Sequence, residues 1–483
     1  MSSVGIDFGT SNCFAHLATA EHVLPIRLEG EHYALPSVVY AARREIAPRP
    51  VLETEVQRRL KSMRAELRRA RTDPARRPDE AAMERMIRDG LRREALEAAS
   101  QAYQDQTLLS AMEGGQHMVF GTEALRLHFA DPSAGFLVKS PKSFLGSDMD
   151  ARRVAAFEDI VTVMLRNIRA AAQCSSGSEI VQAVLGRPVR YQGIGGEQAD
   201  AQAIAVMARA AARAGFTEVR FELEPLAAAY EYERAIQNEE LVLVVDVGGG
   251  TTDCAMVRLS QERAGHADRS GDILGVSGDR VGGTDFDEAL TWRALMPAFG
   301  KDALLRNGRA LPHGILHDAI SIRDVPAQAR FARAAEEIGR LAQATEQAHL
   351  LHRLQSLHAH QLQHQLVHAA ERAKISLSEQ ELVHCDLGFV EAGLILPVDR
   401  VVYGQSARHY IDRIRALAHE AMDQAGVRPD VVFMTGGMAI SPVVSTAIAD
   451  IAGRDTPIRS SEMLGTVGKG LGLCAQRTFE RRA

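Results

Sequence analysis

The chain of 483 residues is 46% hydrophobic and 24% charged, enough for a soluble protein of two large lobes or three to four domains without any limit on core size. A net charge of −6 at pH 7 argues against a general nucleic-acid binder, and no uncharged run is long enough to span a bilayer, so neither nucleic acid nor membrane is an expected partner. The five cysteines are widely spaced with no C-x-x-C pair, and no basic leader precedes the first apolar run, which points to reduced thiols and a cytoplasmic location.

Ser3–Leu17, SVGIDFGTSNCFAHL, reads as strand, tight turn, strand: an apolar run into Asp7, Gly9 and Thr10 in the turn, and a second run from Cys13. Residues 23–47 read as further strands with a turn at Gly30, and the proline in Ala34–Tyr40 predicts an edge or entry strand. Residues 49–114 change character, with 13 arginines between Arg49 and Arg93. Val56, Leu60, Met63 and Leu67 recur at helical spacing, so the segment is expected to be a helical hairpin broken at Asp73–Pro78, its second helix running to about Ser110. Eight acidic residues lie among the arginines, which favours a solvated, ion-paired face over nucleic-acid contact.

His117–Phe120 then reads as a short strand and Gly121–Phe129 as a short helix. Phe136–Asp148, FLVKSPKSFLGSD, concentrates Lys139 and Lys142 in a chain with only six lysines against 50 arginines. A lysine brings a compact charge to a phosphate or a polarised water, although a surface loop would look the same. Helices are expected over 151–173 and 197–214, strands over 179–185 and 219–222. Glu224-Pro225 opens another helix, where Glu224 either caps the positive end or faces a metal or water.

Leu241–Leu259, LVLVVDVGGGTTDCAMVRL, repeats the opening pattern, with Asp246 standing where Asp7 stands and three glycines in the turn. Backbone N–H groups in such turns can converge on phosphate oxygens, and the carboxylates at their ends can hold a hydrated cation. Two similar hairpins suggest a duplicated α/β unit with a metal-bound polyphosphate between the copies. Asp279–Asp287, DRVGGTDFD, adds another glycine turn with Asp285 and Asp287. Arg330–Ser378 contains no proline; one rod of that length would reach roughly 74 Å, so two antiparallel helices with a turn near Thr345–Leu357 are expected. Its histidines, among them His360, His364 and His368 at four-residue spacing, read as a polar solvent face rather than a metal site. Asp430–Gly437, DVVFMTGG, is a strand ending at a natural nucleotide crevice. Leu464–Leu473, LGTVGKGLGL, lacks the Walker A spacing and reads as a close-packed helix with small residues facing neighbouring backbone.

The ordered set IDFGTSN (6–12), LPS (35–37), EPLAAA (224–229), DVGGGTTD (246–253), GGTDFD (282–287), ERAKISLS (371–378) and TGG (435–437) resembles the nucleotide-binding domain of DnaK-type, seventy-kilodalton heat-shock chaperones, especially their YegD-like branch. The resemblance implies an α/β fold of the two-lobed actin-like ATPase type, a duplicated ribonuclease-H-like core with helical insertions. It implies a first lobe over 1–239 with an insert at about 49–114, and a second over 240–483 with a helical subdomain at about 288–390.

The implied cofactors are ATP and Mg²⁺. By the same resemblance Asp7 and Asp246 flank the metal, Thr10, Ser11, Gly248, Gly249, Gly250 and Thr251 surround the phosphates, and Gly9, Asn12 and Gly283 belong to the cofactor-binding set. Lys142 resembles the lysine that positions attacking water, with Glu224 and Asp253 as its acidic companions. Glu371, Lys374 and Ser378 match an adenosine-facing helix, and Gly436 and Gly437 the opposite wall. Ile375 departs from the pattern: it replaces an arginine laid against adenine and removes the cation–π contribution. Only 13 residues follow Gly470, so the peptide-binding unit of the family, with its typical peptide groove, is not expected. The helical inserts are the available surface for a protein client or regulatory partner. The implied function is an ATP-binding, slowly hydrolysing chaperone-like switch; a small-molecule kinase on the same fold and a nucleotide-regulated scaffold are the alternatives.

Overall fold

The computed structural model describes residues 2–69, 79–104, 106, 111, 118–192, 195–266, 269–453, 455–460 and 465–480. The expected break at 73–78, the end of the second insert helix near 110, His117 and Leu464 lie outside the described residues.

The chain divides into two compact units, one of Met1–Tyr40, Val119–Ser133 and Leu137–Ala483, the other of Ala41–Met118 and Ala134–Phe136. The smaller unit carries two helices, Glu53–Arg69 and Glu80–Gln104. They close over Val56, Leu60, Met83 and Ile87, with Met63, Leu67 and Leu91 at the margin. The four-residue core follows from the helical spacing of these side chains. Its arginines are paired: Arg59 with Glu94 at 2.6 Å, Arg88 with Glu53 at 2.6 Å and Arg58 with Glu55 at 2.6 Å. Such solvent-exposed pairs are screened by water and salt and contribute little, so the small core and not the charge lattice holds the helices together.

The larger unit is a mixed α/β structure built on two sheets. In the first, Ser3–Phe8 pairs antiparallel with Asn12–Ala18, which pairs antiparallel with Val23–Pro25; on its other side Ser3–Phe8 runs parallel to Gln182–Arg187, and that strand parallel to Glu218–Leu223. The short strand Leu35–Pro36 adds to Asn12–Cys13, as the proline requires of an edge. In the second sheet, Glu240–Val247 pairs antiparallel with Thr252–Leu259 and that with Ile273–Asp279, while Val431–Thr435 and then Ile458–Ser460 follow in parallel. The two sheets therefore share one strand order and one sequence of pairing senses. Val242–Val245 are fully buried, as β-branched and leucine side chains are in a strand covered on both faces.

Helices cover the sheets. Ala151–Ser176 starts at Asp150, which accepts from Arg153 N at 3.0 Å, and ends at left-handed Gly177. Arg400–Ala425 is capped in the same way by Asp399, at 2.7 Å from Val402 N, and by Gly426. Thr466–Ala475 is buried along nearly its whole length and lies against Ser3–Phe8 and the helix Glu224–Glu233. A Cβ on Gly470 would collide with the Ala227 carbonyl, so the small residues of this stretch do admit neighbouring backbone.

The expectation of two helices over 330–378 needs correction. Breaks at 332–334, 345–347 and 360–362 separate Val325–Phe331, Ala335–Ala344, Ala348–Ala359 and Gln363–Ser376. Ile338, Leu351, Leu354, Leu357, Leu366 and Val367 thereby share one core, which continuous rods could not assemble. His360 ends one helix and His364 begins the next, so the three histidines do not line a single face.

Candidate functional site

Each sheet's first strand ends in the same way, with an aspartate one residue short of the turn. Asp7 lies opposite Phe14 in the first hairpin; Asp246 lies opposite Asp253 in the second. In the second turn Gly248 N donates to Thr251 O at 2.9 Å. The two turns meet. A Cβ on Gly249 would collide with the Ser11 side chain, and one on Gly250 would fall 2.5 Å from Thr10 Cγ2 and 3.2 Å from Ser143 Oγ. Only glycine permits this approach.

Two further segments brace the second turn. Gly283 N donates to Gly248 O and Thr284 N to Gly249 O, both at 2.9 Å, as the helix Gly283–Leu290 begins. Gly436, at φ 84°, follows strand Val431–Thr435, and a Cβ there would meet the Val247 carbonyl and Asp246 Oδ1. Gly437 is exposed with open space beside it.

Lys142 arrives from the first sheet's side. Ser140 holds a left-handed conformation at φ 61°, rare for a residue with a side chain and costing about 1 kcal/mol. Its N–H donates to Ser37 O at 2.8 Å, and the chain then turns into a short 3₁₀ helix, Pro141–Phe144, which is buried throughout. The segment is thus no surface loop: Lys142 is 3% exposed. Lys142 Nζ donates to Glu224 Oε1 at the start of helix Glu224–Glu233. Burial opposes the ammonium charge, yet the Glu224 carboxylate and the nearby Asp7 more than offset it, raising the lysine above its ordinary value.

The carboxylates shift upward as well, which for them favours the neutral form. Burial and then the Glu224 charge push Asp7 and Asp246 well above the usual carboxylate range. The same two causes push Asp253 up to about 8, although its Oδ1 accepts from Val189 N at 2.6 Å. Four carboxylates, Asp7, Glu224, Asp246 and Asp253, thus surround one buried lysine. Their mutual repulsion is what a bound divalent cation would relieve, so Asp7 and Asp246 fit Mg²⁺. Among the described residues no group of three or more His, Cys, Asp or Glu is arranged to hold a metal directly, and contacts through waters suit Mg²⁺, which dehydrates reluctantly.

The remaining candidate residues fall on a second wall. Glu371 Oε2 accepts from Lys139 Nζ at 2.6 Å and lies 3.2 Å from His368 Nδ1. Burial acts against its charge, but His368 and Lys139 hold the carboxyl below the usual range. Lys374 Nζ lies 2.7 Å from Asp287 Oδ1 and donates to Gly283 O at 3.1 Å, tying this helix to the braced second turn. Ser378 lies just past the helix end, partly buried, while Ile375 is 58% exposed. Asp285 Oδ2 accepts from Gly282 N at 2.8 Å and its other oxygen from Arg323, a capping role.

Several side chains that shape the site escaped the reading of the sequence. Gln192 Nε2 donates to Ser143 O at 2.9 Å and Leu145 O at 2.7 Å, pinning the Lys142 segment. Gln192 and Val189 follow strand Gln182–Arg187, and the available signal was position alone, the carboxyl end of a parallel strand. His364 is no solvent-face histidine: burial lowers its pKa well below normal, and its ring meets His128 edge-on at 5.3 Å.

With this geometry in place, the comparison with known families can be reported: residues 142–306, from Lys142 through both strands of the second hairpin and the Gly283 helix, match the family described as HSP70, Hsp70 protein.

Proposed function

We propose that this chain binds ATP with Mg²⁺ and hydrolyses it slowly as a chaperone-like molecular switch, on a two-lobed actin-like core made of two ribonuclease-H-like halves and akin to the YegD-like branch. The observation that carries the reading is the meeting of two topologically equivalent glycine turns, Thr10-Ser11 against Gly249-Gly250, beside one buried lysine and four carboxylates. The likeness of residues 142–306 to the Hsp70 family supports it.

In this reading the N–H groups of the two turns bind phosphate oxygens, with Asn12 and Gly283 at their edge, and Asp7 and Asp246 hold hydrated Mg²⁺. The metal supplies charge neutralisation for phosphoryl transfer. Lys142, fixed by Glu224, orients a water and stabilises charge developing on the transferred group. Asp253, pushed up to about 8, is poised to exchange a proton with that water near neutral pH. Glu371, Lys374 and Ser378 face the adenosine from one wall, Gly436 and Gly437 from the other. A protein client or regulatory partner would engage the helical insert near 49–114 or the helices of 330–370.

The test is calorimetry of the purified chain with ATP and GTP, with and without Mg²⁺, alongside phosphate release. Mg²⁺-dependent binding that favours ATP, with slow release, is expected. Absence of nucleotide binding sinks the reading; binding without release favours the scaffold alternative.

A further inference from the structure

The segment that leaves strand Gln182–Arg187 passes every group proposed to act on water and brings one further side chain among them. At the strand's end, a Cβ on Gly186 would stand 3.3 Å from Glu224 Oε1. Val189 N donates to Asp253 Oδ1 at 2.6 Å, and Gln192 Nε2 holds Ser143 O and Leu145 O on the Lys142 segment. Between these two anchors the side chains part. Arg190 reaches outward to Asp200 Oδ2 at 2.7 Å, whereas Tyr191, its N–H bonded to Asp200 Oδ1 at 2.8 Å, turns inward and is 3% exposed.

The Tyr191 hydroxyl is buried and has no hydrogen-bond partner among the described residues. Of the surrounding charges, those of Lys142 and then Glu224 act on it most strongly, ahead of Arg187 and Asp200. A hydroxyl placed beside that ion pair but bonded to neither member costs stability unless something enters to satisfy it. Phenylalanine would fill the same space without the cost. The hydroxyl is therefore explained by a guest and not by packing.

The neighbours decide what the guest is. A water about to attack phosphorus must keep one lone pair free, so its other lone pair needs a donor and its two protons need acceptors. The Lys142 ammonium can only donate. Asp253 can accept through Oδ2, since Oδ1 is taken by Val189. One acceptor is still wanting, and a phenol oxygen can be it.

We propose that Tyr191 is a further catalytic residue of the hydrolysis proposed above, on which this inference rests: its hydroxyl accepts a hydrogen bond from the reacting water and, with Lys142 and Asp253, turns the remaining lone pair toward the γ-phosphorus. The water oxygen then bonds to phosphorus, and the bond from phosphorus to the bridging oxygen breaks with its electron pair leaving on the diphosphate. The proton facing Asp253 passes to that carboxylate. Tyr191 keeps its own proton throughout, because burial holds the phenol above its ordinary value.

The experiment compares the full-length wild type with Tyr191→Phe, which keeps the ring and removes only the hydroxyl. Single-turnover phosphate release is expected to slow about tenfold, the worth of one hydrogen bond, with ATP affinity by calorimetry changed less than about twofold. ADP with aluminium fluoride, a mimic of the group in transfer, is expected to bind the variant about tenfold more weakly. The melting temperature of the nucleotide-free variant should equal or exceed that of the wild type, since no unsatisfied hydroxyl is left buried. Unchanged release in Tyr191→Phe overturns this inference alone. A lowered melting temperature with a matching loss of ATP affinity also overturns it, because the hydroxyl then serves the fold. A wild type that binds no ATP, or releases no phosphate, overturns the switch reading and this inference with it.

Discussion

The two glycine turns are built on the same strand pair yet contribute opposite things. The first turn has one glycine and presents Thr10 and Ser11; the second has three and offers bare backbone, into which those side chains fit. The strands differ too: Asp7 faces Phe14, whereas Asp246 faces Asp253, so the second hairpin carries an additional buried carboxylate. A site of two similar halves thereby becomes asymmetric. Side-chain chemistry enters with the first turn and its neighbour Lys142; close packing and excess negative charge belong to the second.

The largest effect should come from removing the first side's cation. Lys142→Ala is expected to slow phosphate release by roughly a hundred- to thousandfold, about 3–4 kcal/mol, while ATP affinity changes little. Asp7→Ala should weaken Mg²⁺-dependent binding and release together. Single-turnover hydrolysis and calorimetry on the two variants separate the outcomes, and unchanged release in Lys142→Ala would remove the lysine from the chemistry.

Next is the carboxylate surplus of the second hairpin. Asp253 has a folded-state pKa near 8, above its unfolded value, so its protonated form stabilises the fold at low pH and that contribution is lost as pH rises towards 8. Asp7 and Asp246 are shifted in the same direction. Chemical denaturation of the metal-free protein should therefore show stability falling between pH 5 and 8, by roughly 3 kcal/mol for a group shifted across that window. Asp253→Asn should flatten the slope, and Mg²⁺ should protect most at the alkaline end. A slope unaltered in Asp253→Asn would mean that folding does not raise the pKa of Asp253.

The strand hairpins, their turns and the two aspartates were legible because alternation of apolar runs with glycine and aspartate is a local signal. Burial of Val56 and Leu60 was legible from helical spacing for the same reason. The meeting of Ser11 with Gly249 was not, since it depends on a packing of distant segments that no local pattern encodes. Nor were the breaks at 332–334 and 360–362, which contain neither proline nor glycine and exist because the helices fold back on a shared core. His364 misled for a related reason: a polar residue among glutamines looks solvated until His128 is brought against it.

That packing can be broken directly. Gly249→Ala should weaken ATP binding by about five- to a hundredfold, the range of 1–3 kcal/mol that overpacking costs, because its Cβ collides with Ser11. Ser11→Gly in the same chain should restore part of the loss, while Ser11→Gly alone has the smaller effect. Strictly additive losses in this double-mutant cycle would show that the two turns do not meet as described. Gly404→Ala, on helix Arg400–Ala425 with open space beside it and outside the proposed site, is the control and should leave ATP affinity unchanged.

The smallest effect tests the wall furthest from the turns. Ile375 is 58% exposed on the helix that carries Glu371 and Lys374, so a longer, charged side chain there meets no packing constraint and should leave folding unchanged. If adenine lies against this position, Ile375→Arg adds a guanidinium over its face. At an exposed site that contact is worth about 0.5–1 kcal/mol, a two- to fivefold gain in ATP affinity. The gain should be absent for inorganic triphosphate, which has no base to stack, and smaller for a pyrimidine nucleotide with its smaller ring. Calorimetry with ATP, CTP and triphosphate on the wild type and Ile375→Arg reads all three. Equal tightening of every ligand would mean that the added charge acts on phosphate at a distance, and would move the base away from this helix; tightening of ATP alone would place it there while leaving the two turns to the phosphates.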